Sequence, residues 1–262
     1  MAKKLTVLIT GGSSGIGLSL AEQFALHGHE IIIASSSPEK LEKAKTELVA
    51  NYFADVTCIA VDLAKPDGAD KLYSEVKASG KEIDVLVNNA GFGDYAELVE
   101  ADIEKQERMI NLNITALVKL CHLYGKDMKD AGKGKILNIA SLAAFTGGPY
   151  MSVYYATKAF VLSFSEAIGE ELGEYGVTVT ALCLGPTSTG FTQASNMAKC
   201  TMFKKIKPDT PDAVAKTGYR ALMNGRTVKY HGIPTKLMAF ASRLTPRIIN
   251  RKFAKNINSK PE

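Results

Sequence analysis

Tyr154 and Lys158 stand four residues apart, a spacing that places two side chains on one helix face about one turn apart. A free phenol ionises near pH 10, too high for easy proton exchange at neutral pH. A neighbouring ammonium stabilises the phenolate, so such a pair is suited to acid–base work at a carbonyl or hydroxyl oxygen. Ser141 lies upstream and offers a hydroxyl that could hold the same oxygen. Tyr155 competes for the role, three residues from Lys158, but a second tyrosine is more often a packing residue.

A second feature is Thr10-Gly11-Gly12-Ser13-Ser14-Gly15-Ile16-Gly17, directly after an apolar run. Glycines let a backbone turn sharply and approach a ligand, while the helix N-terminus beyond supplies free N–H groups for an anion. A pyrophosphate fits such a cradle. The spacing departs from GxGxxG and from the lysine-bearing phosphate loop.

Both features need elements to position them. Short apolar, β-branched runs at Leu5–Thr10, Glu30–Ala34, Val56–Val61, Asp84–Asn88, Lys135–Ala140 and Val177–Cys183 read as strands covered on both faces. Between them Ile16–Leu26, Pro38–Tyr52, Pro66–Ala78, Asp102–Gly125 and Tyr154–Tyr175 carry helical patterns. The alternation predicts an α/β fold, a Rossmann-like doubly wound parallel sheet with helices on both faces. Residues 1–232 are expected to form one domain and residues 233–262 a basic amphipathic C-terminal extension.

In these motifs the chain resembles the short-chain dehydrogenases/reductases in their single-domain form. The matches are Thr10–Gly17, Asn88-Asn89-Ala90-Gly91, Asn111, Ser141, Tyr154-x3-Lys158 and Leu184-Gly185-Pro186-Thr187-Ser188-Thr189. They fall in family order, with Leu184 where the family usually has proline. The resemblance implies hydride transfer between a nicotinamide cofactor and a carbonyl or secondary alcohol. Tyr154 would be the acid/base, Lys158 would lower its pKa and bind the nicotinamide ribose, Ser141 would orient the carbonyl, and Asn111 would hold a relay water. Cofactor contacts would come from Gly11, Ser13, Ser14, Gly15, Ile16, Gly17, Asp62, Leu63, Asn89, Ala90, Gly91, Pro186, Thr187 and Thr189. A turn or cap role for Asp62, and a strand-tying role for Asn88, are the plainer readings.

After the second strand the chain reads Ser35-Ser36-Ser37, with no acid before Glu39. An acid there would accept a ribose 2′-OH and repel a 2′-phosphate. Ser35, Ser36 and Lys40 therefore favour NADP(H) over NAD(H), although a serine cluster before Pro38 also suits a helix N-cap. No metal site is expected. A catalytically inactive dinucleotide-sensing or scaffold protein on the same fold is the alternative, and it would show a broken Asn–Ser–Tyr–Lys set.

The bulk composition, 46% hydrophobic and 23% charged, excludes disordered and collagen-like chains. The four cysteines form no CxxC pair, as expected for small buried hydrophobes in a reducing compartment. The amino-terminal apolar run is too short for a secretory segment, and a cytoplasmic enzyme is expected. Charge is divided unevenly: residues 1–189 carry 17 basic and 24 acidic side chains, residues 190–262 carry 15 and 3. With the motifs in the acidic part, specific nucleic-acid binding is not expected. The basic excess falls on a substrate lid at about residues 190–208, with Phe191, Met197, Met202, Phe203, Lys199, Lys204, Lys205 and Lys207, and on the extension. The lid suits a small-molecule carbonyl that is apolar or anionic, an acyl thioester among them. Arg243, Arg247, Arg251 and Lys255 recur every four residues. Their helix could pack on the body or a subunit of the expected homo-oligomer, or make peripheral contact with a membrane.

Overall fold

A computed structural model describes residues 3–191, 195 and 207–259. Met197, Lys199, Met202, Phe203, Lys204 and Lys205 of the expected lid lie outside the described residues.

Seven strands form one parallel sheet in the order β3-β2-β1-β4-β5-β6-β7. They are β1 (Thr6–Thr10), β2 (Glu30–Ser35), β3 (Val56–Ala60), β4 (Val85–Asn88), β5 (Gly134–Ile139), β6 (Val177–Cys183) and β7 (Val228–Tyr230). The period-2 alternation of a strand divides its side chains between two cores. Leu8, Ile32, Leu86 and Ile136 face one, while Val7, Ile9, Ile31, Ile33 and Leu137 face the other. Helices cover both faces, which is why these strands are apolar almost without interruption. The short β7, at the sheet edge, carries too few residues for a sequence pattern and was not among the expected strands.

Among the described residues the α-helices are α1 (Gly15–Leu26), α2 (Pro38–Tyr52), α3 (Gly68–Ala78), α4 (Ile103–Ile110), α5 (Leu117–Asp130), α6 (Ser152–Gly173), α7 (Pro211–Met223), α8 (Ile233–Leu244) and α9 (Arg247–Asn258). Their starts follow ordinary capping chemistry. Ser37 accepts from the Lys40 N–H before Pro38, and Thr210 accepts from the Ala213 N–H before Pro211. The stretch expected as one helix over Asp102–Gly125 is divided. A π-helical turn at Asn111–Ala116 joins α4 to α5, and each such turn rotates the side chains that follow it out of α-helical phase.

A buried polar chain ties the strands beneath the cleft to α6. Asn88 Nδ2 donates to Asn138 Oδ1 at 2.9 Å, and Asn138 Nδ2 donates to Ser165 Oγ at 2.9 Å. Asn138 and Ser165 are fully buried, so the partners have no water to fall back on. Replacing Asn138 by alanine strands both and is expected to cost about 1–3 kcal/mol. The urea midpoint of Asn138→Ala, against that of the unaltered chain, measures the loss.

Candidate active site

One cleft of about 460 Å³ runs along the carboxyl edge of the sheet. That edge is where an open α/β sheet binds ligands, at the point where strand order reverses, here between β1 and β4.

The β1–α1 turn forms one end. Gly11 and Gly15 adopt φ of +64° and +54°, a left-handed conformation that glycine takes without cost. A Cβ on Gly17 would run into the Gly11 carbonyl and the Asn89 amide, so the turn is as tight as its packing allows. Thr10 ties it to β4: its Oγ1 donates to the Val87 carbonyl and accepts from the N–H groups of Asn89 and Ala90 at 3.0 and 3.1 Å. Asn89 Nδ2 returns the contact to the Thr10 and Gly11 carbonyls. The N-cap Ser14 makes no side-chain cap, which leaves the first N–H groups of α1 for an anion. A dinucleotide pyrophosphate fits this cradle. Gly11, Ser13, Ser14, Gly15 and Ile16 line it, with Asn89, Ala90 and Gly91 opposite; Gly17 packs behind.

Ser35, Ser36, Ser37 and Lys40 line the same end, with Ser13 Oγ donating to Ser35 Oγ at 3.0 Å. Pro186, Thr187 and Thr189 line the cleft from the loop after β6. Thr189 reaches the β1–α1 turn, where its Cγ2 would lie 3.2 Å from a Cβ on Gly15. Asp62 and Leu63 are not among the lining residues. Asp62 Oδ1 accepts from the Ala64 N–H at 3.0 Å, and Oδ2 pairs with Arg108 at 3.1 Å, so the turn role prevails. Leu63 is buried in the core.

Ser141, Tyr154 and Lys158 converge on the middle of the cleft. Ser141 ends β5 and accepts from the Ala143 N–H at 3.1 Å. Tyr154 and Lys158 stand on the first turns of α6, with the Lys158 ammonium 5.9 Å from the Tyr154 ring centre. Lys158 Nζ donates to the Ile139 carbonyl at 2.8 Å. Burial is the largest influence on both groups. It pushes the Tyr154 phenol up to about 12 against a smaller downward pull from the Ser141 hydrogen bond. It pulls the Lys158 ammonium down to about 8. In the protein alone desolvation, and not the Lys158 charge that the Tyr–Lys spacing suggests, sets the direction of the phenol's shift. Tyr155 takes a different part: its hydroxyl donates to Asn258 Oδ1 at 3.2 Å.

Asn111 requires a correction. It opens the π-helical turn and is not among the cleft residues. Asn113, two positions on, is buried beside Gly91. It accepts from the Phe92 N–H at 3.1 Å and donates to the Phe92 carbonyl at 2.9 Å and to Thr157 Oγ1 at 3.1 Å. Asn113 therefore fastens the β4 loop to α6 next to Tyr154 and Lys158. The resemblance points to Asn111; the sequence reads Asn111-Leu112-Asn113, and only the fold shows which of the two asparagines meets the β4 loop. Sequence reasoning also missed Met238, Phe253, Ala254 and Ile257, which come back from the extension to wall the cleft.

Two outcomes follow from this geometry. Asn113→Ala is expected to lower kcat by roughly tenfold through loss of positioning, and Asn111→Ala to leave it unchanged; steady-state rates compare the two. The second concerns pH. From about 8 to the ordinary lysine value of 10.5, the folded chain has shed a Lys158 proton that the unfolded chain keeps, so stability rises with pH. Above pH 10, the ordinary tyrosine value, the unfolded Tyr154 ionises while the folded one, at about 12, does not, and stability falls. Burial also holds the Cys121 and Cys183 thiols at about 12 against an ordinary 9.0, so they ionise first in the unfolded chain. Without added nucleotide, urea midpoints should therefore climb from about pH 8 to about pH 9 and fall beyond it, and Lys158→Met should remove the climb.

The family model for short chain dehydrogenase matches residues 5–199. The very-long-chain 3-oxoacyl-CoA reductase of Homo sapiens is 34% identical over 224 residues, which are 83% of this chain and 70% of that protein. The 3-oxoacyl-[acyl-carrier-protein] reductase of Chlamydia trachomatis is 32% identical over 191 residues, 73% of this chain and 77% of that one. Among solved structures, the short-chain dehydrogenase from Sphingobium yanoikuyae in complex with NADPH superposes with a TM-score of 0.82 at 28% identity, covering 92% of this chain and 93% of that one. With its seven-stranded parallel sheet and glycine cradle, the chain belongs to the short-chain dehydrogenase family and is an NAD(P)-dependent oxidoreductase.

Proposed function

We propose that the protein reduces the 3-oxo group of a fatty acyl thioester and takes NADPH in preference to NADH. The observation that carries this reading is the polarity of the cleft that holds Ser141, Tyr154 and Lys158. A hydroxyl-and-lysine end at Ser35, Ser36 and Lys40 leads past Ser141 and Tyr154 to an apolar end at Phe92, Phe191, Met238, Phe253 and Ile257. Serine hydroxyls and the Lys40 ammonium can hydrogen-bond a 2′-phosphate, and no acid follows β2 to repel it. The apolar end suits a hydrocarbon chain, and 3-oxoacyl reductases among the relatives favour an acyl thioester.

NADPH bound along the glycine cradle would supply the hydride. This chain's residues would do the rest. Ser141 holds the 3-oxo oxygen in line with Tyr154, and Tyr154 donates its phenolic proton to that oxygen as the carbonyl becomes an alcohol. Lys158 is tied to the Ile139 carbonyl and lends positive charge to the phenolate left behind. Asn113 fastens the Phe92 loop to α6 and so keeps Tyr154 and Lys158 in place. Phe191 packs 5.6 Å from the Tyr154 ring between ring centres and limits bulk water at the reacting oxygen.

The test is kcat/KM for a series of 3-oxoacyl thioesters of increasing chain length, followed by NADPH absorbance and repeated with NADH. Efficiency should rise with chain length, and NADPH should exceed NADH by roughly tenfold or more. Ser35→Asp should reverse the cofactor order, and Tyr154→Phe should lose about a hundredfold or more in kcat with NADPH affinity retained. Equal efficiency with both cofactors, or turnover of small ketones but of no acyl thioester, would sink the reading.

A further inference from the structure

A helix on a protein surface ordinarily turns its apolar residues inward and its charges to water. The extension does not. In α8, Thr235 and Ala239 are buried against the body and Met238 enters the cleft. Yet Ile233, Leu237, Phe240 and Leu244 recur at helical spacing on the outer side, with Leu244 72% exposed. In α9, Ala254 and Asn258 are buried, while Ile248, Ile249 and Phe253 are exposed. Seven large apolar side chains thus face water within 21 consecutive residues, an uncommon concentration for a protein that works free in solution.

The face is held in place. Asn258, fully buried, accepts from the Tyr155 hydroxyl and donates to the Pro149 carbonyl at 3.0 Å. It is also basic: residues 233–259 hold six Lys and Arg and no Asp or Glu. Exposed Arg243, Arg247, Arg251 and Lys255 run through both helices. Phe253 lines the cleft and is 56% exposed, so the outer apolar face continues into the cleft mouth.

We propose that α8 and α9 dock the enzyme on an anionic lipid bilayer, with the cleft mouth opening at the lipid surface. The apolar stripe enters the boundary between headgroups and acyl chains, and the arginines and lysines meet lipid phosphates. Charge favours this occupant over a second copy of the chain: a two-fold contact of α8 and α9 with themselves would set their six cations against one another, and residues 233–259 supply no acid to separate them. Among the described residues no helix is long and apolar enough to cross a membrane, which leaves docking in the surface plane. Entry of a long acyl chain from the bilayer into the cleft rests on the function proposed above; the docking itself does not.

The experiment is co-sedimentation of the full chain, with NADPH present, on phosphatidylcholine vesicles with and without about one third phosphatidylglycerol. Binding should require the anionic lipid and weaken as salt rises. It should fall by roughly tenfold or more in Phe240→Glu/Leu244→Glu and in Arg247→Glu/Arg251→Glu. Unchanged turnover of a short, water-soluble 3-oxoacyl thioester shows that both variants are folded. The proposal is overturned if the unaltered chain stays in the supernatant with both vesicles, or if the variants sediment like it. Self-association that Phe240→Glu/Leu244→Glu abolishes, without vesicle binding, overturns it in favour of a second copy. Vesicle binding without turnover of any acyl thioester supports the docking face and overturns the substrate reading alone.

Discussion

Lys158 is an ammonium taken almost out of water, and its 2.8 Å hydrogen bond to the Ile139 carbonyl fixes where α6 sits over the end of β5. A buried cation without a partner would be expelled or neutralised. The bond anchors it, and with it the first turn of α6, which carries Tyr154. Ser141 lies two residues beyond Ile139 on the same strand end, so one interaction sets the acid, the hydroxyl and the cation relative to each other. The Asn88–Asn138–Ser165 chain repeats the tie deeper in the sheet. The rest of the site is arranged around this joint.

The same dryness has an electrostatic consequence. Burial pushes the phenol up and the ammonium down, so in the protein alone both groups are biased towards their neutral forms. A tyrosine biased in this way keeps the proton it would donate. The opposing bias on Lys158 means that its charge depends on what else enters the cleft.

What the sequence disclosed was whatever is local. The glycine turn, the Tyr154–Lys158 pair and the strand–helix alternation each depend on neighbours within a few residues, and the structure has them at or near the expected bounds. Asn113 was passed over because the resemblance could be laid on either of two asparagines two positions apart, Asn111 and Asn113, and only the contacts to Phe92 and Thr157 distinguish them. Asp62 takes the turn role that was the plainer reading of it, and its pairing with Arg108, a partner 46 residues away, was not legible in any local pattern. Met238, Phe253 and Ile257 could not have been assigned to the cleft from periodicity. Their pattern shows that a helix has an inner face, but only the return of the extension onto α6 shows what that face meets. The outward apolar side was likewise legible as spacing and illegible as exposure.

The strand order has a kinetic meaning. β3, β2 and β1 assemble from contiguous chain, but β1 and β4 meet only when Val7 reaches Val85, closing the longest loop between neighbouring strands. Closing such loops costs chain entropy before any contact repays it, and parallel pairings of this kind form late. The Thr10–Asn89 tie lies on that seam, and so does the glycine cradle. A dinucleotide that grips both sides binds only chains in which the seam is already shut. For this fold the coenzyme is therefore also a latch, drawing the folding equilibrium towards the chain in which that seam is shut.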